Sequence, residues 1–449
     1  MSGRMQMGSV WTETAKRPEF ETLKRDMKTD VLIIGGGIAG ILCACFLEQA
    51  GVEYALVESG RICDGVTKDT TAKITSQHGL IYHKLVRQFG VERAKLYWQA
   101  NQQGLEQYRS MCREIDCEFQ MQDAYVYALD DRRKLEQEVD ALQHMGVAHR
   151  LVCATALPFP VEGAVCFEDQ AQFHPLKFLC AVAKGLRIFE HTRVLELKPG
   201  EAVTQQGTIQ AEKIIVATHF PFLNKHGSYF LKMYQHRSYV LALENAPRVN
   251  GMFVDQEQTG LSFRHYRDLL LLGGGGHRTG KPGGGWQELE QFAQRHYPGC
   301  RVVSRWATQD CMTLDGVPYI GQYSKRTPGL YVDTGFNKWG MTSAMAAAML
   351  LTDLVQGKRN PYQEVFSPSR TMLRPQLAVN GMEAAAHLLH PTTPRCPHMG
   401  CALRYNRQEH SWDCPCHGSR FSEEGQLIDN PATGPLKNRP GDNEAEKKG

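Results

Sequence analysis

The chain has 449 residues, of which 42% are hydrophobic and 22% charged, with a net charge of +3. That length suits two or three domains with a sizeable core. The near-neutral balance argues against a partner chosen by charge, such as nucleic acid or an anionic membrane. No run of about 18 apolar residues occurs, so no membrane span is expected. The N-terminal residues show neither an apolar core with a cleavage site nor a twin arginine, and a cytoplasmic protein is the expectation.

In chain order, residues 1–29 read as polar and irregular, with Trp11 as the large anchor. Then TDVLIIGGGIAGILCACFLEQAGVEYALVES, 29–59, reads as strand, glycine turn, helix, strand. Gly35, Gly37 and Gly40 form G-x-G-x-x-G. The first glycine permits the tight turn, the second admits a pyrophosphate to the backbone, and the third lets helix and strand pack closely. The phosphates then meet free N–H groups at the helix N-terminus. Glu58 ends the second strand, where an acid binds an adenosine ribose. Helical periodicity follows over 91–112, over 130–146 with Gly146 as the stop, and over 173–185. Alternating strands with glycine breaks dominate 192–276, and a helix is expected over 285–299. Residues 329–358 read as strand, loop and a long apolar helix ending near Gly357. Residues 378–390 again read as helical.

Three stretches carry a resemblance: ESGRICDGVTKDTTAKIT after the second strand, GTIQAEKIIVATHFP, and WATQDCMTLDGVPYIG with GLYVDTGFNKWGMTSAMAAAMLL. With the glycine motif, these resemble the D-amino-acid oxidase/glycine oxidase superfamily of FAD enzymes over about residues 28–360. The resemblance implies an α/β fold: a Rossmann-like FAD-binding domain with an antiparallel-sheet substrate domain. It implies pyrophosphate and flavin contacts at Thr67, Thr70, Thr71 and Ala72 and an adenine contact at Val194. It also implies a closing helix whose N-terminal turn, Gly340, Met341 and Thr342, points at the flavin. A helix N-terminus there stabilises the negative charge of a reduced flavin. Family members carry a substrate-carboxylate arginine in the segment WATQDC, where Asp310 stands here, so a cationic amine is favoured over a simple amino acid. Lys73 falls near a basic residue beside the flavin in related enzymes. The family's covalent cysteine is not matched, which implies non-covalent FAD. His78, His219, His277 and Lys338 lie in segments expected near the active site.

Of 14 cysteines, four cluster in CPHMGC and CPCHGS, twelve residues apart. Cys396, His398, Cys414 and His417 form a C/H/C/H set, which suits tetrahedral zinc or, as two cysteines and two histidines, a Rieske [2Fe–2S] cluster. The two boxes resemble a Rieske domain of the kind with an extra cysteine in each. The resemblance implies a Cys401–Cys416 disulfide, a cluster hydrogen bond from Ser419 and a shielding third loop at Thr433–Leu436. Phe421 stands where high-potential members have a tyrosine, which implies a lower potential. Zinc accounts for neither the extra cysteines, the serine nor the third loop.

The expected division is an N-terminal extension, 1–29; a FAD-dependent oxidoreductase, 30–360; a connector, 361–394; a truncated Rieske domain leaning on the flavin domain, 395–440; and a disordered tail, 441–449. FAD-binding segments are expected at about 30–85, 170–220 and 310–360, and the substrate domain at about 86–169 and 221–309. The expected activity is FAD-dependent oxidation of a small substrate at an amine C–N bond, in the manner of an amine or amino-acid oxidase or dehydrogenase. Electrons would pass between FAD and the cluster, with a one-electron donor or acceptor as a further partner, which includes a protein. The alternative is an electron-transfer or redox-sensing iron–sulfur flavoprotein with no small-molecule substrate.

Overall fold

The computed structural model describes residues 6–223, 227–257, 260–370 and 394–437. The helix expected over 378–390 and the tail at 441–449 lie outside them.

The strand Met27–Ile34 lies parallel to Tyr54–Val57 on one side and Thr208–Val216 on the other. Ile188–Phe189 and Leu330–Thr334 extend this sheet outwards, also in parallel. Val31 through Ile34 are all buried, so both faces of the strand need cover. Alternation divides them. Val31 and Ile33 pack in the main core with helices Ile38–Gln49 and Gly340–Val355. Leu32 and Ile34 meet a second cluster that includes Val194 and Ala202. The closing helix also packs on Val91–Met111, where a Cβ on Gly104 would stand 2.8 Å from Thr342 O.

A second, larger sheet is mostly antiparallel. Its centre is Met233–Glu244, paired with Leu269–Arg278 and Arg301–Thr313. It continues through Ser262–Tyr266, Met252–Asp255, Gln120–Ala128 and Gly163–Gln172 to Lys73–Ile74. The domain boundary expected between 309 and 310 therefore falls inside the strand Arg301–Thr313. The expected helices form at Val91–Met111, Arg132–Met145, Pro175–Val182 and Gly285–His296. Gly146 follows the second with φ 68°, the left-handed conformation that ends a helix.

The N-terminal residues correct the expectation of irregular chain. Gln6–Met7 adds to the large sheet beside Ser304 and Arg305, and helix Val10–Thr14 buries Trp11 completely. A single buried indole anchors this strap, and one residue leaves no periodicity to read.

The C-terminal module is a four-stranded antiparallel sheet, Arg404–Asn406, Ser411–Asp413, Arg420–Ser422 and Leu427–Asp429. Its small core joins all four clustered cysteines to Leu403, Phe421, Ala432 and Leu436.

Candidate active site and cluster centre

A cavity of about 1480 Å³ opens over the glycine motif and runs between the two large sheets. Gly35 has φ +115°, and a Cβ there would lie 2.5 Å from Ala217 O. A Cβ on Gly40 would lie 1.9 Å from Gly35 O, so only glycine lets the helix approach the strand. At Gly37 the nearest atom to such a Cβ is Thr67 Oγ1 at 3.3 Å, and Gly37 lines the cavity. Thr67 Oγ1 accepts a hydrogen bond from Ile38 N, and Glu58 Oε2 accepts one from Gly36 N at 2.7 Å. Glu58 thus braces the turn while lining the cavity.

Of the other expected cofactor contacts, Thr70, Thr71, Val194, Gly340 and Met341 line this cavity. Ala72 and Thr342 are not among the residues that line it. Ala72 turns its carbonyl to Arg264. Thr342 Oγ1 donates to Thr75 O and lies 3.0 Å from His78 Nε2. His78 is buried, also bonds Tyr97, and is pushed down to about 3, so it is neutral and structural at physiological pH. Sequence reasoning missed Asp333 on the cavity wall. It is buried with Oδ2 unpartnered, and burial pushes its carboxyl up to about 8. A protonated acid of that kind suits a polyhydroxylated cofactor chain.

The charged end of the cavity holds Asp310, Lys338, His219, His236, His277 and Arg278. Burial raises the Asp310 carboxyl against the opposing pull of Lys338, His219 and Arg237. Lys338 is lowered by burial, with Asp310 opposing the shift. Lys73 lies on the cavity wall, with Nζ 3.2 Å from Thr71 Oγ1. Burial, helped by the Arg264 cation, brings it down to about 7.

At the cluster centre the two boxes converge. The rings of His398 and His417 stand 4.9 Å apart at 85°. Cys396 and Cys414 are both buried, and Ser419 Oγ accepts a hydrogen bond from Ala432 N at 2.9 Å. His417 is 2% exposed, yet its Nδ1 has no hydrogen-bond partner. A buried acceptor of that kind, beside buried thiols, fits an iron ligand. The expected Cys401–Cys416 disulfide is not formed. Both are free cysteines, and their sulfurs and that of Cys414 all lie within 4.8 Å of one another.

The C-terminal module docks on the large sheet. Glu409 is clasped between Arg237 of that sheet and Arg420 of its own module, and accepts from Tyr239 Oη at 2.8 Å. Burial alone would raise its carboxyl, but the two guanidiniums hold it at about 2. Gln309 Nε2 donates to Gly418 O, and Asn430 Nδ2 to Thr218 O and Phe220 O. Phe230 sets its ring edge-on to His417 at 5.9 Å. Leu427–Asn430, Ala432 and Thr433 line the same cavity as the glycine motif. No sequence signal marked Arg237, Glu409 or Asn430.

The model of the FAD dependent oxidoreductase family matches residues 30–354. The chain belongs to this family. As a FAD-dependent oxidoreductase it carries a second match, the Rieske [2Fe-2S] domain, over residues 369–440. The oxidoreductase part binds FAD, and the C-terminal part binds a [2Fe–2S] cluster, which sets aside zinc. A putative Rieske 2Fe-2S iron-sulfur protein, YhfW of Bacillus subtilis, is 36% identical over 96% of this chain and 97% of its own. Gamma-glutamylputrescine oxidoreductase of Escherichia coli is 24% identical over 76% of this chain and 87% of its own. Among solved structures, glycine oxidase from Geobacillus kaustophilus superposes with TM-score 0.65 at 19% identity, covering 77% of this chain and 99% of that one. This chain is thus a FAD-dependent oxidoreductase fused to a Rieske domain. Among the described residues no helix is long and apolar enough to cross a membrane.

Proposed function

We propose that the protein oxidises a small amine at its C–N bond and moves the electrons between FAD and the cluster inside one chain. The observation that carries this reading is the shared cavity: Rieske residues Leu427–Asn430 and the glycine motif line one space. Cluster ligand His417 is buried against Phe230 rather than facing solvent. Bound FAD takes two electrons with a hydride, and a [2Fe–2S] cluster carries them one at a time.

Asp310 holds the substrate nitrogen. Lys338 and Arg278 line the same chamber and suit an acidic group elsewhere on the substrate. The gamma-glutamylputrescine oxidoreductase among the relatives is named for an amine substrate of related chemistry. Loss of a hydride from carbon and a proton from nitrogen leaves an imine, which water converts to a carbonyl and a freed amine. Lys73, near neutrality in its two forms, takes that proton. The cofactor contacts are Gly35, Gly37, Gly40, Glu58, Thr67, Thr70, Thr71, Val194, Gly340 and Met341, and the cluster ligands are Cys396, His398, Cys414 and His417. The domains divide near residues 30, 360 and 395.

The test is anaerobic mixing with a panel of amines and amino acids, following flavin absorption and the electron paramagnetic resonance of the cluster. The expected result is flavin bleaching by an amine, followed by a reduced Rieske signal, both lost in Asp310→Asn. Bleaching without any cluster signal would sink the intrachain transfer. No bleaching by any amine would favour the electron-transfer alternative.

A further inference from the structure

The backbone of the flavin loop is gripped at four consecutive carbonyls. Trp306 Nε1 donates to Asp69 O at 2.9 Å, and Trp11 Nε1 to Thr70 O at 2.7 Å. Arg264 Nη1 donates to Thr71 O and to Ala72 O, each at 2.7 Å. The donors come from three distant places: the N-terminal strap, the strand Ser262–Tyr266 and the strand Arg301–Thr313. They also support one another. The Arg264 guanidinium lies over the Trp11 ring, 5.4 Å from its centroid, an attraction strengthened by burial of both. Trp11 in turn packs edge-on against Tyr266 and His174.

None of the three donors lines the cavity, whereas Thr70, Thr71 and Lys73 do. A trans peptide is planar with its C=O and N–H opposed. Holding the carbonyls of Asp69 and Thr70 on the far side therefore aims the N–H groups of Thr70 and Thr71 the other way. Ala72, at φ 55°, sits in a conformation that costs a non-glycine residue energy and persists only where its surroundings hold it.

We infer that Trp11, Arg264 and Trp306 form a clamp that sets the flavin loop in its cofactor-binding shape, so that FAD affinity depends on the N-terminal strap. The strap lies outside the span matched by the FAD family, residues 30–354. Trp11 and Trp306 are positioning residues. The inference rests on the assignment of the 67–72 loop to the cofactor.

The experiment measures the FAD dissociation constant of the apoprotein by titration, beside iron and sulfide content and the unfolding temperature. Trp11→Phe and Trp306→Phe each keep an aromatic ring and remove one N–H. Each is expected to weaken FAD binding about fivefold, the worth of one hydrogen bond, with cluster content unchanged. Leu142→Ala, which opens a core cavity under helix Arg132–Met145, tests for mere destabilisation and should leave FAD affinity at the wild-type value. Gly37→Val, which fills the pyrophosphate approach, should lose FAD. If both tryptophan variants bind FAD within about twofold of wild type while Gly37→Val does not bind it, the clamp is overturned and the cofactor site stands. If Leu142→Ala weakens FAD as much as they do, the effect is general instability and the clamp is again overturned. If Gly37→Val binds FAD normally, the site assignment falls and the clamp with it.

Discussion

The two redox centres are built in opposite ways. The cluster centre draws its four proposed ligands from two hexapeptides, and its nearest supports, Ser419 and Ala432, follow within a short stretch. The cavity at the flavin end collects Gly37, Thr70, Val194, Asp310 and Met341, spread over some three hundred residues, and Rieske residue Asn430 closes it. A centre made of short loops depends on ligand chemistry. A centre assembled from distant strands depends on whether those strands pack in register. Variants should separate the two.

The largest expected effect is Cys414→Ser. It removes a proposed iron ligand, and iron and labile sulfide should fall from about two per chain to none, while FAD stays bound. Loss of FAD in the same variant would show that the centres are not independent. Gly40→Ala is the reciprocal case. Its Cβ meets backbone rather than a movable side chain, so a strain of about 1–3 kcal/mol should appear as FAD loss with cluster content retained.

Glu409→Gln tests the joint between the centres. It leaves buried Arg237 without its carboxylate, while Arg420 keeps Asp413 and Asp429, at a cost of about 3–5 kcal/mol, read as a lower unfolding temperature. The pH dependence follows from its lowered pKa. The carboxylate's contribution is fully present above the unfolded value of about 4.3 and is lost as pH falls toward about 2. Docking should therefore hold steady from neutrality to about pH 5 and weaken only below that.

Lys73→Met sharpens the flavin side. Because burial lowers the lysine's pKa, folding works against its protonated form, and that cost grows as pH falls from its unfolded value toward about 7. The variant should gain about 1–3 kcal/mol of stability at neutral pH and lose the rise in rate through about pH 7. Ser419→Ala is the smallest change. Loss of the proposed hydrogen bond from Ser419 to a cluster sulfur should lower the cluster potential by tens of millivolts, on the order of one hydrogen bond, measured by redox titration.

Much of this was legible in the sequence because it is local. The glycine motif, its flanking strand and helix, and the two cysteine–histidine boxes are each defined within a few tens of residues. Chemistry dictates their spacing: a phosphate needs bare backbone at a helix N-terminus, and two irons need two thiolates and two imidazoles. Asp310 and Lys73 were also marked, though not the lysine's burial. Other features had no local trace. Trp11 reads as a lone aromatic in a polar leader until the large sheet supplies Tyr266 and Arg264 around it. Glu409 reads as a surface acid until Arg237 and Arg420 close on it. The sequence by itself determined the two cofactors and the backbone shapes that receive them. The tertiary structure alone decided that the cluster module roofs the flavin cavity and which buried charges hold it there. Those contacts join residues about 170 apart, and only the packing of whole sheets brings them within hydrogen-bond reach.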